Sequence, residues 1–368
     1  MARTKAATGE FSKRNLVILG AVIGFLYGFG LRILANSSLS HVAVMTMGFT
    51  CLMPFAMGCI TVYFAEIGQP RRVWTWIWLP WVPLLAALGA TMLALLEGLI
   101  CVAMFAPLAM ILASLGGLLG GLAARLIRSH RARRVTMACV MALPLVTAPW
   151  EKQVLYRLEE REVENVIDIK ASPEVIWRNI ASVRAIRPEE LPASWSHRIG
   201  FPDPVEATLS HEGVGGVRNA TFTGGLYFLE TVDVWKPQQR LGFTIAAQTD
   251  LIPPTTLDEH VRVGGPYFDV LRGEYRLEPM ANGTIRLHLS SRHRVSTNFN
   301  WYAHLWTDAI MSDLQKRILV VIRQRCEAQP ARARDREKRE PTMETRRKAR
   351  DVREWPGTRA SRRETLIE

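Results

Sequence analysis

The sequence predicts a multi-pass α-helical membrane bundle followed by an α+β domain, in which a curved antiparallel sheet surrounds a long C-terminal helix. Two observations predict this fold class. The apolar residues crowd into the first 150 positions, where runs of about 20 or more residues contain few charges. From Val163 onward apolar and polar residues alternate, as they do in strands, until a helical pattern returns near Asn300.

The first four apolar runs are each long enough for a transmembrane helix. Crossing ~30 Å of hydrocarbon takes ~20 residues, because a helix rises ~1.5 Å per residue. The runs Leu16–Ala35 and His41–Ala65 meet that length. The stretch Val73–Ile127 has about 55 residues, which is too long for one span, so we divide it near Glu97-Gly98 into two helices.

A fifth candidate span, Val135–Trp150, is short and contains Pro144. We therefore predict a transmembrane bundle of about five helices over residues 15–150, preceded by a cytoplasmic arm of residues 1–14.

The side of the membrane follows from the Lys and Arg residues in the connections between the runs. The N-terminal arm and the connections after the second and fourth runs are basic, whereas Asn36–Ser40 and the turn at Glu97 contain no Lys or Arg. Basic connections stay in the cytoplasm, so we expect a cytoplasmic N-terminus in a bacterial inner membrane. The basic residues are Arg3, Lys5, Lys13, Arg14, Arg71, Arg72, Arg125, Arg128, Arg131, Arg133 and Arg134.

The compartment of the second domain depends on the fifth run. With five crossings everything after Trp150 is extracytoplasmic, and with four it is cytoplasmic. Five arginines precede this run and a Glu-rich segment follows it, which favours a crossing and an extracytoplasmic domain.

Glycines at four-residue spacing predict close helix packing within the bundle. We expect contacts within the chain, with a homo-oligomer formed through these Gly-rich helices as the alternative. Glu97 is expected at the membrane interface, and the runs contain no paired charges that would indicate a transport path. The glycines are Gly20, Gly24 and Gly28 in the first run and Gly116, Gly117, Gly120 and Gly121 in the fourth.

The second domain has the order strand, helix, six strands, long helix. Ser172 and Pro173 suit the start of the first helix, which we expect to reach Val183. Asn282-Gly283 is a strong hairpin signal. The strands are predicted near 163–169, 206–211, 217–223, 226–235, 241–249, 268–279 and 284–295, and the last helix over Asn300–Glu327.

Residues 160–328 resemble the SRPBCC or START-like superfamily, which includes polyketide cyclase/dehydrase and lipid-transport proteins. The resemblance is carried by Val166–Trp177 (VIDIKASPEVIW), by Glu230–Phe243 (ETVDVWKPQQRLGF) and by the closing strand and helix from Gly273 through Ile310. It implies a helix-grip fold with an apolar cavity between the sheet and the long helix. Because members include lipid carriers, cyclases and receptors, it implies a hydrophobic ligand but no single activity.

Strand alternation and the pattern of the last helix predict which side chains line the cavity. Most of them are apolar, and Glu230, Tyr275 and His293 add polar points, which suits a lipid-like ligand. The segment Thr249–Gly265 is expected either to cover the cavity mouth or to be a plain surface loop. The predicted ligand-cavity residues are Phe228, Glu230, Val232, Phe243, Tyr275, Leu287, His293, Trp301 and Leu305.

The leading hypothesis is a membrane-anchored domain that binds or transfers a lipid-like ligand. One alternative is a cyclase or hydratase, which requires Glu230 and His293 to lie within hydrogen-bond reach. Another is a membrane sensor or assembly subunit. No catalytic, metal or cofactor pattern stands out, and no Cys/His metal spacing occurs. Residues 329–368 are expected to be a disordered charged tail without a nucleic-acid-binding motif.

Overall fold

The first half of the chain is helical. In this computed structural model the described residues are 2–36, 45–151, 157–249 and 262–339. The helices of this half are α1 (Ala2–Asn36), α2 (Met53–Gly68), α3 (Val73–Trp78), α4 (Trp81–Leu93), α5 (Leu99–Leu126) and α6 (His130–Glu151), with a π-helical turn at Gly48–Leu52 that leads directly into α2.

Four helical segments are long and apolar enough to cross a membrane, which confirms the four predicted runs in length and composition. They are Asn15–Ala35, Gly48–Gly68, Val73–Leu93 and Leu99–Leu126. The third contains the short break between α3 and α4, and the predicted break at Glu97-Gly98 separates α4 from α5. The start of the second predicted run, 41–44, lies outside the described residues.

Helix α6 extends from one end of the bundle to the other. It begins just after α5 ends, where Met137 packs with Tyr63 and Ala124. At its far end the Glu151 carboxylate accepts hydrogen bonds from the backbone N–H groups of Met47 and Gly48, at the start of the second span. Helix α6 is not among the four segments above, so the fifth crossing stays a prediction.

The glycine spacing brings helix backbones together within the chain. A Cβ atom added at Gly116 of α5 would lie 1.9 Å from the Phe55 carbonyl oxygen of α2, and one at Gly120 would lie 2.2 Å from the Cys59 carbonyl oxygen. On α1, a Cβ at Gly24 would lie 2.6 Å from Thr61 Oγ1. The glycines therefore act in packing inside the chain, as expected, and the homo-oligomer stays an untested prediction.

Two ion pairs lie at opposite ends of the bundle, so the expectation of no paired charges is wrong. Arg32 Nε lies 2.6 Å from Glu97 Oε1, and Arg125 Nε lies 2.6 Å from Glu66 Oε1. Each pair joins residues that are far apart in sequence, which is why local patterns did not reveal it. Trp76 Nε1 also donates to Glu66, at 3.0 Å.

The second half is a seven-stranded antiparallel sheet with a long C-terminal helix, as the sequence predicts. The strand order across the sheet is β1-β7-β6-β5-β4-β3-β2, with every neighbouring pair antiparallel. This is the helix-grip arrangement. The strands are β1 (Leu158–Ile169), β2 (Pro204–Leu209), β3 (Val217–Phe222), β4 (Tyr227–Lys236), β5 (Arg240–Gln248), β6 (Phe268–Pro279) and β7 (Ile285–Ser296), and the helices are α7 (Pro173–Ala181), α8 (Trp195–Arg198) and α9 (Asn300–Arg339).

The ends of α9 and β1 differ from the predicted bounds. Helix α9 continues 12 residues past Glu327, so residues 329–339 of the predicted disordered tail are helical, and 340–368 lie outside the described residues. Strand β1 begins at Leu158, five residues before the predicted start, because the whole length of β7 pairs with it.

The main core of the second domain lies beneath the middle of α9. Leu319 and Ile322 of α9 pack with Ile176 of α7 and with Leu241 and Leu287 of the sheet. A second, smaller cluster lies elsewhere between α9 and the sheet. In it, Met311 of α9 packs with Phe228 and Val270 of the strands. The first three turns of α9 precede both clusters. They bond to β1 and β7 through His304, Thr307 and Asp308, and to the bundle through Tyr302.

Replacing Gly116 with Ala tests the close approach of α2 and α5. The added methyl would meet the backbone of Phe55, so we expect Gly116→Ala to destabilise the chain by about 1–3 kcal/mol. Gly89→Ala is the matched control, because the space beside Gly89 is open, and its effect should stay within about 1 kcal/mol. Thermal unfolding of the purified full chain in detergent measures both. Equal melting temperatures for the two variants would contradict the packing.

Candidate functional site

A cavity of about 200 Å³ lies at the junction of the two halves of the chain, and both halves line it. Its walls are mostly apolar, as is usual for sites that bind hydrophobic ligands. The bundle contributes Gly28, Arg32, Phe49, Thr50, Met53, Met57, Leu84, Ala87, Leu88, Thr91, Glu97, Cys101, Val102, Met104 and Phe105. The second domain contributes Phe201, Val263, Tyr267, Phe268, Val295, Thr297, Phe299, Tyr302, Ala303, Trp306, Thr307 and Ile310.

The first turns of α9 form the wall opposite the bundle. Tyr302, Ala303 and Trp306 face the cavity from this helix. The Tyr302 hydroxyl donates a hydrogen bond of 2.6 Å to the Met104 carbonyl oxygen of α5. This bond joins the two halves beside the cavity and fixes the direction in which α9 presents its side chains.

The π-helical turn at Gly48–Leu52 shapes the bundle side of the cavity. Phe49 and Thr50 of this turn line the cavity, followed by Met53 and Met57 of α2. Short π-helical segments occur frequently at functional sites, where an extra residue per turn redirects side chains. The sequence pattern alone gave no signal of this turn, because its residues continue the apolar run.

Among the described residues that line the cavity, the charged ones are Arg32 and Glu97, which form an ion pair. Arg32 is 5% exposed, and its Nη2 also donates to the Leu96 carbonyl oxygen at 2.7 Å. The third nitrogen, Nη1, is buried and finds no acceptor among the described residues. Other polar wall groups are bonded locally, such as Thr91 Oγ1, which donates to the Leu88 carbonyl oxygen at 2.8 Å.

Seven of the nine predicted cavity residues are buried inside the second domain, and none of them lines the cavity at the junction. Four of the seven, Val232, Phe243, Tyr275 and Leu287, are at most 3% exposed and belong to the main core between the sheet and the later turns of α9. Whether any of them contacts a ligand stays a prediction. The seven are Phe228, Glu230, Val232, Phe243, Tyr275, Leu287 and His293.

Trp301 and Leu305 do not line the cavity at the junction, and their contact with a ligand stays a prediction. Trp301 is 59% exposed and Leu305 is 64% exposed. The residues that line the wall are their helical neighbours Tyr302, Ala303 and Trp306. The apolar pattern at the start of α9 runs around the helix, so it did not reveal which face the bundle would cover.

Glu230 forms a buried ion pair with Arg218. Arg218 was not among the residues predicted to line a cavity. Arg218 Nη1 lies 2.5 Å from Glu230 Oε2. The guanidinium carbon also lies 5.2 Å from the Phe243 ring centre and 5.8 Å from that of Tyr275. Burial raises the pKa of Glu230, and the neighbouring Arg218 acts in the opposite direction. This ion pair was predictable from the sequence, because the β3–β4 hairpin places Arg218 directly opposite Glu230.

His293 is fully buried and has partners on α9. Its Nε2 lies 3.2 Å from Thr307 Oγ1 and 3.4 Å from Asp308 Oδ1. Burial lowers the pKa of His293, while the Asp308 carboxylate acts to raise it. Thr307 also lines the cavity, so His293 supports the cavity wall from behind.

Glu230 and His293 are not brought together. Glu230 lies on β4 and His293 on β7, with β5 and β6 between them in the sheet. At ~4.8 Å per strand this separates the two strands by about 14 Å. The hydrogen bond that the cyclase or hydratase hypothesis requires is therefore not formed.

The loop expected over the cavity mouth lies mostly outside the described residues, which leave out 250–261. After this gap, Val263 lines the cavity and forms a bridge with Phe268 of β6, which also lines it. The expectation that the rest of the loop covers the cavity stays untested.

Comparisons with known proteins give neither a family match nor a curated relative for this chain. Solved structures with some similarity include DynU16 from the dynemicin biosynthetic locus, an uncharacterized protein from Rhizobium leguminosarum and the Aha1 dimer from Colwellia psychrerythraea. Their sequence identities are 17%, 13% and 17%, and their TM-scores are 0.25, 0.29 and 0.24.

The matched regions cover 43%, 46% and 45% of this chain. They cover 45% of DynU16, 99% of the Rhizobium protein and 96% of the Aha1 chain. The match thus spans less than half the length of DynU16. At these TM-scores the similarity supports no functional argument, and the site is interpreted from its own geometry.

Replacing Arg218 with Met tests the buried ion pair. The variant leaves the Glu230 carboxylate buried without its partner, so we expect a loss of about 3–5 kcal/mol in the free energy of unfolding. The double variant Arg218→Met/Glu230→Met removes both charges and should recover much of that loss. Denaturant unfolding of the full chain, followed by tryptophan fluorescence, measures the series.

The matched control for this series is Arg286→Met, which breaks the surface pair of Arg286 with Asp168. Water solvates both of these groups, so the effect should be small. A loss as large as that of Arg218→Met would contradict the importance of burial.

Proposed function

We propose that this chain is a membrane-anchored protein that binds or transfers a hydrophobic, lipid-like ligand in the cavity between its helical bundle and its helix-grip domain. The observation that carries the proposal is the shared lining of that cavity. Met53 and Leu84 of the bundle and Phe268 and Trp306 of the second domain line one space. A ligand there would contact both halves at once.

The outer surface of the bundle supports the membrane anchor. Large apolar side chains such as Leu26, Ile111 and Leu119 are exposed on the outside of α1 and α5. Soluble proteins rarely expose contiguous apolar surfaces of this kind, whereas hydrocarbon solvates them well. A cavity at the end of such a bundle lies near the bilayer surface, where a lipid-like molecule can move between membrane and protein.

We place the helix-grip domain on the extracytoplasmic side of the membrane. The basic connections assign the N-terminus to the cytoplasm. Helix α6 then returns the chain to the opposite end, since His130 follows α5 while Glu151 binds the backbone of Met47 and Gly48. The cavity lies at that same end of the bundle, next to Arg32 and Met104.

Filling the cavity with a bulky side chain tests ligand binding. Ala303 lines the cavity, so we expect Ala303→Trp to lower the amount of co-purified lipid by at least about tenfold, because overpacking a site by this volume costs more than ~1.4 kcal/mol. Native mass spectrometry of the full chain, released from nanodiscs, measures the bound lipid.

Leu305→Trp is the control for this experiment. Leu305 lies on the same helix two positions away and is exposed, so its replacement should leave bound lipid unchanged. Equal lipid occupancy in wild type and both variants, or no bound lipid in the wild type, would contradict the proposed function.

The position of the helix-grip domain is tested by labelling a cysteine placed at Glu212. This residue is exposed in the connection between β2 and β3. A membrane-impermeant maleimide should label Glu212→Cys in intact cells, because the domain faces the outside. The parent chain, with its exposed Cys139 on α6, gives the background. Labelling that appears only after the cells are broken would place the domain in the cytoplasm.

A further inference from the structure

The start of α9 carries an exposed apolar surface. Trp301 and Leu305 are 59% and 64% exposed, and residues at this spacing share one face of a helix. Leu158 at the start of β1 is also exposed. A hydrogen bond of 2.7 Å from Asn300 Nδ2 to the Arg157 carbonyl oxygen holds this strand beside the start of α9. We call Leu158, Trp301 and Leu305 the apolar patch.

The apolar patch lies beside helix α5 of the bundle. The Tyr302 hydroxyl donates to the Met104 carbonyl oxygen at 2.6 Å, and the ring centres of Trp301 and Tyr302 are 5.6 Å apart. A Cβ atom added at Gly200 would also lie 3.4 Å from the Ile100 side chain of α5. The helix-grip domain therefore lies alongside the first turns of α5, which belong to a segment long and apolar enough to cross a membrane.

The length of α5 gives the level of this contact in a bilayer. The rise from Met104 to Arg125 is about 32 Å at ~1.5 Å per residue, close to the ~30 Å thickness of the hydrocarbon core. Arg125 lies in the last turn of α5, and the exposed Arg128 and Arg131 follow it. Charged side chains are costly inside hydrocarbon, so this end of α5 lies among the headgroups. Met104 then lies at the opposite boundary of the hydrocarbon.

The composition of the first turns of α9 suits such a boundary. Trp and Tyr are enriched at membrane–water interfaces, where their amphipathic rings lie at the level of the headgroups. Residues 300–307 contain no Asp, Glu, Lys or Arg, so contact with the bilayer buries no Asp, Glu, Lys or Arg charge from them. The bundle exposes apolar side chains at the same end, with Leu93 at the end of α4 and Leu95 just after it.

We infer that the first turns of α9 insert into the headgroup region of the bilayer through Trp301 and Leu305, so that the helix-grip domain contacts the membrane with its own surface. The inference rests on the membrane anchor of the proposed function and adds a second membrane contact to it. Tyr302, Ala303 and Trp306 of the same turns line the cavity. One cavity wall then lies at the level of the lipid headgroups, where a lipid-like ligand leaves the bilayer.

Nitroxide labels on single cysteines test the depth of the apolar patch. Trp301→Cys and Leu305→Cys are made one at a time in the full chain carrying Cys139→Ser, because Cys139 is an exposed native cysteine. The labelled chains are placed in phosphatidylcholine nanodiscs, and the Cys139→Ser parent gives the background signal. Electron paramagnetic resonance compares collisions of the label with oxygen, which concentrates in hydrocarbon, and with a nickel chelate, which stays in water.

Ile111→Cys and Glu212→Cys are the matched references. Ile111 is exposed on α5, about 10 Å from Met104 toward the middle of the span. Glu212 is exposed in the connection between β2 and β3, at the end of the sheet away from the bundle. We expect the ratio of oxygen to nickel collisions at Trp301 and Leu305 to be several-fold higher than at Glu212 and lower than at Ile111.

The references separate the apolar patch from the membrane anchor. A ratio at Trp301 and Leu305 equal to that at Glu212 would overturn the inference, while a high ratio at Ile111 would keep the anchor. Few collisions with either reagent at Trp301 and Leu305 would show that protein, such as a second copy of the chain, covers the patch, and would overturn the inference as well. A ratio at Ile111 as low as that at Glu212 would refute the anchor, and the inference with it.

Quenching by brominated phospholipids measures the same contact without a label. Bromine on the upper acyl chain quenches tryptophan only at close contact, so Trp301→Phe should lower the quenched fraction of the emission of the full chain. Trp235→Phe is the matched control and should not lower it, because Trp235 packs with Trp177 in the helix-grip domain, with ring centres 5.0 Å apart. Equal quenched fractions in the two variants would contradict the inference.

Discussion

Helix α9 contacts both the sheet and the helical bundle, and the rest of the architecture depends on this double contact. Its later turns, around Leu319 and Ile322, fill the concave face of the sheet and complete the main core. One face of its first turns lies against the helical bundle, to which Tyr302 is hydrogen-bonded. Another face is bonded to the sheet, where Thr307 contacts His293 and Asp308 contacts Arg161. The cavity lies beside these first turns, and both halves line it. The site therefore belongs to neither half alone.

Buried charges are paired wherever the structure places them, and the two main pairs have different consequences. The pair of Arg218 with Glu230 lies in the sheet interior, where Arg218 Nε has no acceptor among the described residues. It occupies space that the sequence had assigned to a ligand. The pair of Arg32 with Glu97 lies at the wall of the cavity between the two halves, where it joins α1 to the turn between α4 and α5.

Much of the fold was predictable because it follows from local patterns. Four of the apolar runs match helical segments that are long and apolar enough to cross a bilayer. The bounds of the other six strands lie within two residues of the predicted ones, whereas β1 starts five residues earlier. They agree because alternation and turn residues are local, as at the Asn282-Gly283 hairpin between β6 and β7. The glycine spacing also gave the correct contacts, since only small residues permit backbones to approach as closely as α2 and α5 do.

The sequence by itself determined the two-part architecture, the helices and strands, and the apolar character of the expected site. Only the tertiary structure decided where that site lies. An apolar pattern indicates that a helix face will be covered, but it does not identify the partner that covers it. The pattern therefore predicted Trp301 and Leu305 in the cavity, which are exposed. The residues that line the wall are Tyr302, Ala303 and Trp306. Arg32 and Glu97 are 65 positions apart, and no local signal connects residues at that distance. Their meeting depends on the packing of α1 against the turn between α4 and α5.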